Sequence, residues 1–240
     1  QDLLQGNKTL LGSGKVRDVY LVNYKGKEIV IKTLQEQHDP RRQHQRVKMH
    51  LAETAALDAV RGHPHIVNLL GVCSTTIATE YFPTQFEDVI FRSRDGLSLS
   101  AVIQMALDAA RGLMTLHEAA GGPIVHFDLK PQQLLFDEHR RVKLNDLNMA
   151  RLMGRNSVTG DPCPFECRHA VRAVAWRAPE NVAGGQTLTE KVDIYGMGMI
   201  FFSLMSGKLP FDKGEDGQAK ILKGEKPVFD GYWPADYMEV

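Results

Sequence analysis

The sequence lacks a charge imbalance, a long apolar run and a leader segment, and each absence excludes a class of function. Lys plus Arg and Asp plus Glu number 29 each in 240 residues, so no overall field favours nucleic acid or an anionic membrane as a partner. No apolar run approaches the roughly 20 residues that span a bilayer. No charged-then-apolar leader follows Gln1, so no targeting segment is expected in this chain.

Cysteine is scarce as well, with 3 residues in the chain. Cys73 ends the apolar run LLGVC (69–73), which predicts a buried free thiol. Cys163 and Cys167 form a Cys-x-x-x-Cys pair, but a zinc site takes four ligands and the nearby candidate is His169 alone, so zinc is not expected. A disulfide between the two would require an oxidising compartment, and composition leaves that question open.

The residues that are present describe an ordinary folded protein, with 43% hydrophobic and 24% charged side chains. The length allows one large domain or two lobes that share a cleft. Short β-rich runs predict strands in the first third of the chain, at residues 8–11, 19–24, 28–33, 66–73 and 77–81. One helix is predicted among them at about 41–60, with an apolar face of Val47, Leu51, Ala55 and Leu57.

The character of the sequence changes after Pro83. Apolar residues at helical spacing predict a helix over 99–119, and short strands follow at 134–136 and 142–144. A strongly apolar helix is predicted from about 190 to 205, ending before Gly207. The pattern is therefore a small β-rich lobe with one helix, a hinge near residues 80–83 and a larger helical lobe, with the cleft between them as the expected ligand site.

A glycine-rich turn and a lysine give the first indication of phosphate binding. Gly12 and Gly14 lie in LGSGKVRDVY (11–20), where glycines let backbone amides approach phosphate oxygens. Such a turn alone means little, but Lys32 falls where strand pairing would place its ammonium beneath the turn. Glu53 in the predicted helix is the natural carboxylate partner. Alternatively, Lys32 is a surface residue and Glu53 a solvated one.

The decisive segments are HFDLKPQQLL (126–135) and LNDLN (144–148). They resemble the catalytic loop and the metal-binding Asp-Phe-Gly motif of the eukaryotic protein kinase superfamily. The resemblance implies that Asp128 accepts the proton of an attacking hydroxyl and that Lys130 neutralises the transferring γ-phosphoryl group. It also implies that Asp146 holds Mg²⁺ against the phosphates, and that Gln133 stands where the family has a metal-binding Asn.

The same resemblance implies a nucleotide pocket. Thr79 would guard the adenine pocket, Glu80 and Phe82 would belong to the hinge that hydrogen-bonds adenine, and Val19 would cover the adenine face. ATP with Mg²⁺, or with Mn²⁺ in its place, is then expected in the cleft. A protein substrate is the expected partner, with no nucleic acid and no membrane segment.

Further motifs follow in the family's order. HPHIV (63–67), WRAPE (176–180) and DIYGMG (193–198) resemble a structural link in the small lobe, the close of the activation segment, and the helix whose aspartate anchors the catalytic loop. The resemblance implies an α+β, bilobal kinase fold and a single domain over 1–240, with the N-lobe and hinge at 1–82 and the C-lobe at 83–240. The last helices of such a lobe, which supply an Arg partner for Glu180, are missing here, so a truncated chain is expected.

Four positions depart from the family pattern. Arg17 replaces the third glycine of the turn and is expected to be a solvated loop residue. Phe127 replaces an Arg that pairs with a phosphate on the activation segment, so activity is expected not to depend on that phosphorylation. Gln133 has one methylene more than Asn, which predicts weaker binding of a second metal because Mg²⁺ demands near-octahedral geometry. Asn148 replaces a glycine and is expected to tolerate a positive φ.

Three functions stay open. Lys130 favours an active Ser/Thr kinase, and the LLGVC run with Trp176 resembles tyrosine-kinase-like Ser/Thr kinases, although Arg172-Ala173 replaces the usual Gly-Thr. A pseudokinase that binds nucleotide or acts as a scaffold is favoured by the four departures and opposed by the retained catalytic residues. A secretory-pathway kinase of glycans or proteins is suggested by the polar replacements. The compartment stays open too: cytoplasmic by default, or luminal or membrane-anchored in a longer protein.

Overall fold

A computed structural model of the chain describes residues 8–14, 16–92, 97–167, 175–212 and 214–229. His169, considered above as a zinc ligand, and Arg172-Ala173 lie outside these ranges. The fold is α+β and bilobal, as the sequence predicts.

The N-terminal lobe is a five-stranded antiparallel sheet in the order β1-β2-β3-β5-β4, with one helix. Its elements are β1 (Lys8–Ser13), β2 (Arg17–Tyr24), β3 (Lys27–Leu34), α1 (Pro40–Ala59), β4 (Leu69–Cys73) and β5 (Thr76–Glu80). Each predicted strand and the predicted helix is present, within a few residues of its expected bounds.

A tight turn sets the register of β2 on β3. Lys25 and Gly26 have φ angles of 51° and 81°, and a two-residue turn with positive φ at both positions suits the right-handed twist of a hairpin. In the resulting register Val19 lies opposite Lys32. Because side chains alternate between the two faces of a strand, Arg17 shares the cleft-facing side of the sheet with Val19 and Lys32.

Helix α1 begins at a capped N-terminus, where Asp39 accepts a hydrogen bond from the N–H of Arg41 at 2.9 Å. The inner face of the helix is more polar than predicted. Its buried residues are His50, Glu53, Ala56 and Leu57. The prediction that Leu51 and Ala55 belong to this face is wrong, since both are exposed. The helix meets charged side chains of the sheet here, and the spacing of apolar residues cannot reveal such a polar face.

The C-terminal lobe is mainly helical and carries three small sheets, β6-β8-β9, β7-β10 and β11-β12. Its first elements are β6 (Thr84–Gln85), α2 (Phe86–Phe91), α3 (Leu99–His117), β7 (Ile124–Val125), β8 (Leu134–Phe136) and β9 (Val142–Leu144). Those that follow are β10 (Arg151–Leu152), β11 (Phe165–Cys167), α4 (Pro179–Ala183), β12 (Gln186–Leu188), α5 (Lys191–Ser206) and α6 (Glu215–Leu222). The predicted bounds of β8 and β9 are confirmed.

One hydrophobic core extends through both lobes. It joins Leu57 of α1 and Ile77 of β5 to Leu113 of α3 and Leu144 of β9. Helix α5 ends at Gly207, whose φ of 69° is the left-handed conformation that glycine adopts without strain. The shared core means that packing, as well as the hinge, joins the two lobes.

His63 and His65 make structural contacts of the kind predicted for the HPHIV segment. Nδ1 of His65 lies 3.1 Å from the carbonyl oxygen of Val142, and the N–H of Leu144 donates to the carbonyl of His65 at 2.9 Å. Nε2 of His63 lies 2.9 Å from the hydroxyl oxygen of Thr115. These bonds tie the segment before β4 to β9 and α3.

The cysteines differ from one prediction. Cys73 is exposed, and the prediction of a buried thiol is wrong because β4 is an edge strand of its sheet. Cys163 and Cys167 are not joined by a disulfide. Within the described ranges, no helix has both the length and the apolar character needed to cross a membrane.

Candidate active site

A cavity of about 640 Å³ lies between the two lobes. It brings together most of the side chains that the sequence assigns to a site, namely Gly14, Val19, Lys32, Thr79, Glu80, Phe82, Asp128, Lys130, Gln133 and Asp146. Two predicted site residues are not on its wall. Gly12 is exposed within β1, and Glu53 lies behind Lys32, where the two form an ion pair.

Lys32 is held between two carboxylates. Its Nζ lies 3.3 Å from Oε1 of the fully buried Glu53 and 3.7 Å from Oδ1 of Asp146. Burial by itself lowers the pKa of Lys32, but the charges of Glu53 and Asp146 outweigh burial, and the net effect raises that pKa. Lys32 is therefore a permanent cation that points into the cavity from β3.

Arg17 is not the solvated loop residue that the sequence analysis expects. Only 6% of its surface is exposed, and its Nη2 lies 2.6 Å from Oε2 of Glu53. Nη1 lies 3.4 Å from Nδ1 of His50. The prediction fails because strand β2 already begins at Arg17, two residues before Val19, so that alternation turns the guanidinium inward. Arg17 lines the same cavity.

The hinge end of the cavity is formed by the end of β5. Thr79 is buried, as expected for a residue that guards the inner pocket. The side chain of Glu80 is occupied by the fold: its Oε2 accepts from the N–H of Asn68 at 3.0 Å and lies 3.5 Å from Nζ of Lys143. The same Lys143 ammonium lies 5.3 Å from the centre of the Phe82 ring. The Glu80 carboxylate is therefore engaged within the fold.

Asp128 is surrounded by three donors. Nζ of Lys130 lies 2.7 Å from its Oδ2, and Nε2 of Gln133 donates to the same oxygen at 3.2 Å. Nη2 of Arg177 lies 2.5 Å from Oδ1. Sequence reasoning did not assign Arg177 to the site, although its position directly before the Ala-Pro-Glu close was a visible signal.

The loop that carries Asp128 is anchored from below by α5. The carboxylate of Asp193 accepts from the N–H groups of His126 at 2.6 Å and Phe127 at 2.9 Å. This is the role that the resemblance implies for the aspartate of DIYGMG. Nε2 of His126 lies 2.9 Å from the carbonyl oxygen of Asn145, which links the loop to the segment that carries Asp146.

Phe127 makes an apolar contact at the position where the family carries an arginine. Its ring is 6% exposed and lies edge-on to Phe165, with 5.5 Å between ring centres. It belongs to a buried cluster with Met153, Leu188 and Val192. The catalytic loop and the segment that follows it are therefore joined by packing at this point.

Asp146 has left-handed backbone angles, with φ 63° and ψ 64°, and the following Leu147 is fully buried in the shared core. A short 3₁₀ helix spans Leu147–Met149. Positive φ therefore falls on Asp146 and not on Asn148, which lies within the helical turn, so the expected tolerance of Asn148 for a positive φ is not called on here.

The donors in the cavity fit one divalent cation held jointly with phosphate. In the part of the chain that the structure describes, no group of three or more His, Cys, Asp or Glu side chains could hold a metal alone. Mg²⁺ commonly binds through one or two carboxylates plus substrate phosphates. The Asp146 carboxylate and the Gln133 amide on the same cavity wall are such a set.

Comparison with known proteins agrees with this arrangement. The sequence profile described as the protein kinase domain matches residues 6–231. The chain is 28% identical to a probable serine/threonine-protein kinase of Dictyostelium discoideum, over 93% of this chain and 24% of that protein. It is 32% identical to serine/threonine-protein kinase 12 of Arabidopsis thaliana, over 74% of this chain and 38% of that protein.

A further relative is serine/threonine-protein kinase STY46 of Arabidopsis thaliana, 27% identical over 91% of this chain and 36% of that protein. The chain thus spans between about a quarter and two fifths of the length of these relatives.

Proposed function

The chain belongs to the protein kinase family, and we propose that it transfers the γ-phosphoryl group of ATP to a Ser or Thr hydroxyl of a protein. The observation that carries the proposal is the meeting of Lys32, Asp128 and Asp146 in one cavity, with Nζ of Lys32 3.7 Å from Oδ1 of Asp146. Protein kinases use these groups to hold the phosphates, the metal and the acceptor hydroxyl.

Nucleotide binding would use both lobes. The adenine ring would lie beneath Val19 and against the hinge backbone, with Thr79 at the inner end of the pocket. The triphosphate would extend toward Lys32, whose cationic charge is maintained by Glu53 and Asp146. A fixed cation that needs no rearrangement on binding stabilises phosphate charge at little reorganisation cost.

Transfer would proceed by direct displacement. The acceptor oxygen bonds to the γ-phosphorus while its proton passes to a carboxylate oxygen of Asp128. The bond from the γ-phosphorus to the oxygen that bridges to the β-phosphate breaks, and ADP leaves with that electron pair. Lys130, 2.7 Å from Asp128, would neutralise charge on the phosphoryl oxygens in transit.

A divalent cation supplies neutralisation of the β- and γ-phosphate oxygens when bound. Asp146 would be its carboxylate ligand and Gln133 its amide ligand. Because Nε2 of Gln133 already donates to Asp128, the remaining amide oxygen is the group that a cation would use. We propose Mg²⁺ as the cation, with Mn²⁺ able to replace it.

The acceptor class rests on Lys130 and on the relatives, whose names describe serine/threonine-protein kinases. We propose Ser or Thr for this chain on those two grounds. The substrate protein is not specified by them.

A pseudokinase is the second candidate, and one observation favours it. Asp128 is engaged by Lys130, Gln133 and Arg177 together, so the base would have to release a contact to accept a hydroxyl. The first candidate is preferred because the lysine, both aspartates and the buried glutamate of the family are all in place.

Turnover of ATP by the purified protein, with Mg²⁺ or Mn²⁺ and a mixed Ser/Thr peptide substrate, tests the proposal. Replacement of Asp128 by Asn keeps the shape and removes the base, and we expect kcat to fall by about 10²- to 10⁴-fold. Asp58→Asn is a matched control, since Asp58 lies on the outer surface of α1. Turnover that survives D128N, or ATP binding without any turnover in the wild type, would refute the enzymatic proposal.

A further inference from the structure

Arg17 places a second buried cation beside Lys32. Its guanidinium comes from β2, one strand away from the lysine, and contacts the opposite oxygen of the same carboxylate: Nη2 meets Oε2 of Glu53 and Nζ meets Oε1. Glu53 is fully buried. One carboxylate is thus shared by two cations, and the second carboxylate near them, that of Asp146, lies 3.7 Å from Lys32.

One nitrogen of Arg17 has unused hydrogen-bonding capacity. Nε is buried and has no hydrogen-bond partner among the described residues, whereas Nη2 lies 2.6 Å from Oε2 of Glu53. Buried donors are normally satisfied. A guanidinium carries five N–H donors and can bind anions on more than one edge.

The surroundings of Nε of Arg17 point to a phosphate. Arg17 lines the cavity together with Gly14, Lys32 and Asp146. Burial and the charge of Arg17 lower the pKa of His50. In the neutral ring Nε2–H donates to the carbonyl oxygen of Ser74 at 2.9 Å, which leaves Nδ1 as an acceptor toward Nη1 of Arg17. Neither Glu53 nor His50 makes a hydrogen bond with Nε.

We infer that Arg17 is a phosphate-binding residue of the nucleotide site, in which its unpartnered Nε–H binds an oxygen of the triphosphate directly. This inference rests on the proposed function, since it takes the cavity to be the ATP site. A guanidinium supplies fixed, charge-assisted hydrogen bonds. These replace part of the backbone contact expected from the missing third glycine of the turn.

A purely structural role is the competing explanation. Arg17 also joins β2 to α1 through Glu53 and His50, and its removal could loosen the helix without any effect on phosphate. The two roles differ in what they do to a nucleoside. Loss of a residue that binds phosphate would weaken the binding of ATP and ADP and leave adenosine binding unchanged. A loosened lobe would weaken the binding of all three.

The test is calorimetric binding of ATP, ADP and adenosine to the purified wild type, Arg17→Met and Arg17→Lys, each with Mg²⁺ and with EDTA. The matched control is Arg46→Met, because Arg46 also anchors α1, through the carbonyl of Gln35 at 2.9 Å, and does not line the cavity. We expect R17M to weaken ATP and ADP about ten- to a hundredfold. R17K should retain part of the affinity, and R46M should bind as the wild type does.

The comparison between Mg²⁺ and EDTA distinguishes a direct contact of Arg17 with phosphate from an effect that acts through a metal bound at Asp146. If Arg17 binds phosphate itself, the loss in R17M persists in EDTA. The inference is overturned if R17M binds ATP as tightly as the wild type, or loses adenosine as strongly as ATP, or loses ATP only when metal is present. ATP binding without turnover would refute the kinase proposal, and the binding data for Arg17 could still be interpreted. A wild type that binds no ATP would overturn both proposals.

Discussion

The guanidinium of Arg177 lies 2.5 Å from Oδ1 of Asp128 and also donates to the carbonyl oxygen of Phe127. One side chain from the WRAPE segment therefore contacts both Asp128, the proposed base, and the residue before it. In the kinases that the sequence resembles, the Thr of a Gly-Thr pair would make a bridge to this aspartate, and Arg172-Ala173 occupies the position of that pair here. The structure shows an arginine that makes a contact of the same type.

Arg177→Met should reduce kcat with little change in the KM for ATP. Asp128 would lose one of its three donors, and a charge-assisted hydrogen bond contributes about 1.5–3 kcal/mol, so about ten- to a hundredfold is the expected decrease. Steady-state kinetics at saturating ATP measure it. A rise in kcat would instead show that Arg177 restrains the enzyme.

Glu53→Gln should destabilise the fold more than Lys32→Met does. The first change leaves Arg17 without its carboxylate partner and Lys32 with Asp146 alone, at 3.7 Å, and breaking a buried ion pair costs about 3–5 kcal/mol. The second leaves Glu53 still paired with Arg17 at 2.6 Å, so less than half of that loss is expected. Urea unfolding of both variants gives the comparison, and equal losses would contradict the shared-carboxylate arrangement.

Phe127→Ala should destabilise the C-terminal lobe by about 3–5 kcal/mol, as expected for truncation of a buried aromatic ring. The ring packs on Phe165 and within the cluster around Met153. Val158→Ala is the control, because Val158 is 92% exposed and should change stability by about 0.5 kcal/mol at most. A loss for F127A no larger than the control would show that the ring does not hold the two segments together.

Treatment with a broad-specificity phosphatase should leave turnover unchanged. In this chain Phe127 occupies the position from which an arginine would bind an activating phosphate, and packing already holds the segment beside it. Turnover before and after treatment, with the phosphorylation state checked by mass spectrometry, is the measurement. Activity that disappears on treatment and returns on rephosphorylation would refute this independence.

Stability should fall as pH drops below about 6.5, the ordinary pKa of histidine. Burial lowers the pKa of His50 most, and the charge of Arg17 lowers it further, against the opposing effects of the Ser74 carbonyl and Glu53. A histidine with a depressed pKa binds fewer protons in the folded state than in the unfolded state, so its stabilising effect is complete above 6.5 and is lost on acidification.

Melting temperatures from pH 7.5 to 5.5 test this effect against His50→Gln. The variant should show a shallower decline than the wild type. His63→Gln is a useful comparison, because burial also lowers the pKa of His63 and that residue does not contact Arg17. Identical slopes for the wild type and H50Q would remove His50 as a source of the pH dependence.

The sequence predicts best where one periodicity dominates. Strands β8 and β9 have the bounds expected from their short apolar runs, and α3 begins at its expected residue, Leu99. Site residues carried by a motif, such as Asp128 and Asp146, lie in the cleft where the resemblance places them. Each motif is continuous in the chain and can be identified locally, although Asp193 of α5 anchors the loop that carries Asp128.

Prediction fails where a partner distant in the sequence decides the environment. Leu51 was expected in the core and is 59% exposed. The inner face of α1 instead carries Glu53, which pairs with Lys32 and Arg17. Arg17 could have been placed correctly: Val19 was assigned to the cleft, and a residue two positions earlier on the same strand shares its face. The Arg177 contact joins residues 49 positions apart in the chain, so the local sequence marks Arg177 but does not identify its partner.

Glu53 has a consequence for inhibitor chemistry. Compounds that gain room by driving the α1 helix outward would have to separate this carboxylate from Lys32 and Arg17 at the same time. Arg17 would then be buried without a carboxylate partner, and Lys32 would keep Asp146 alone, at 3.7 Å. The hits of a small-molecule screen against this protein should therefore be mostly compact compounds that leave α1 in place. Longer compounds that require α1 to move outward should be rare among them.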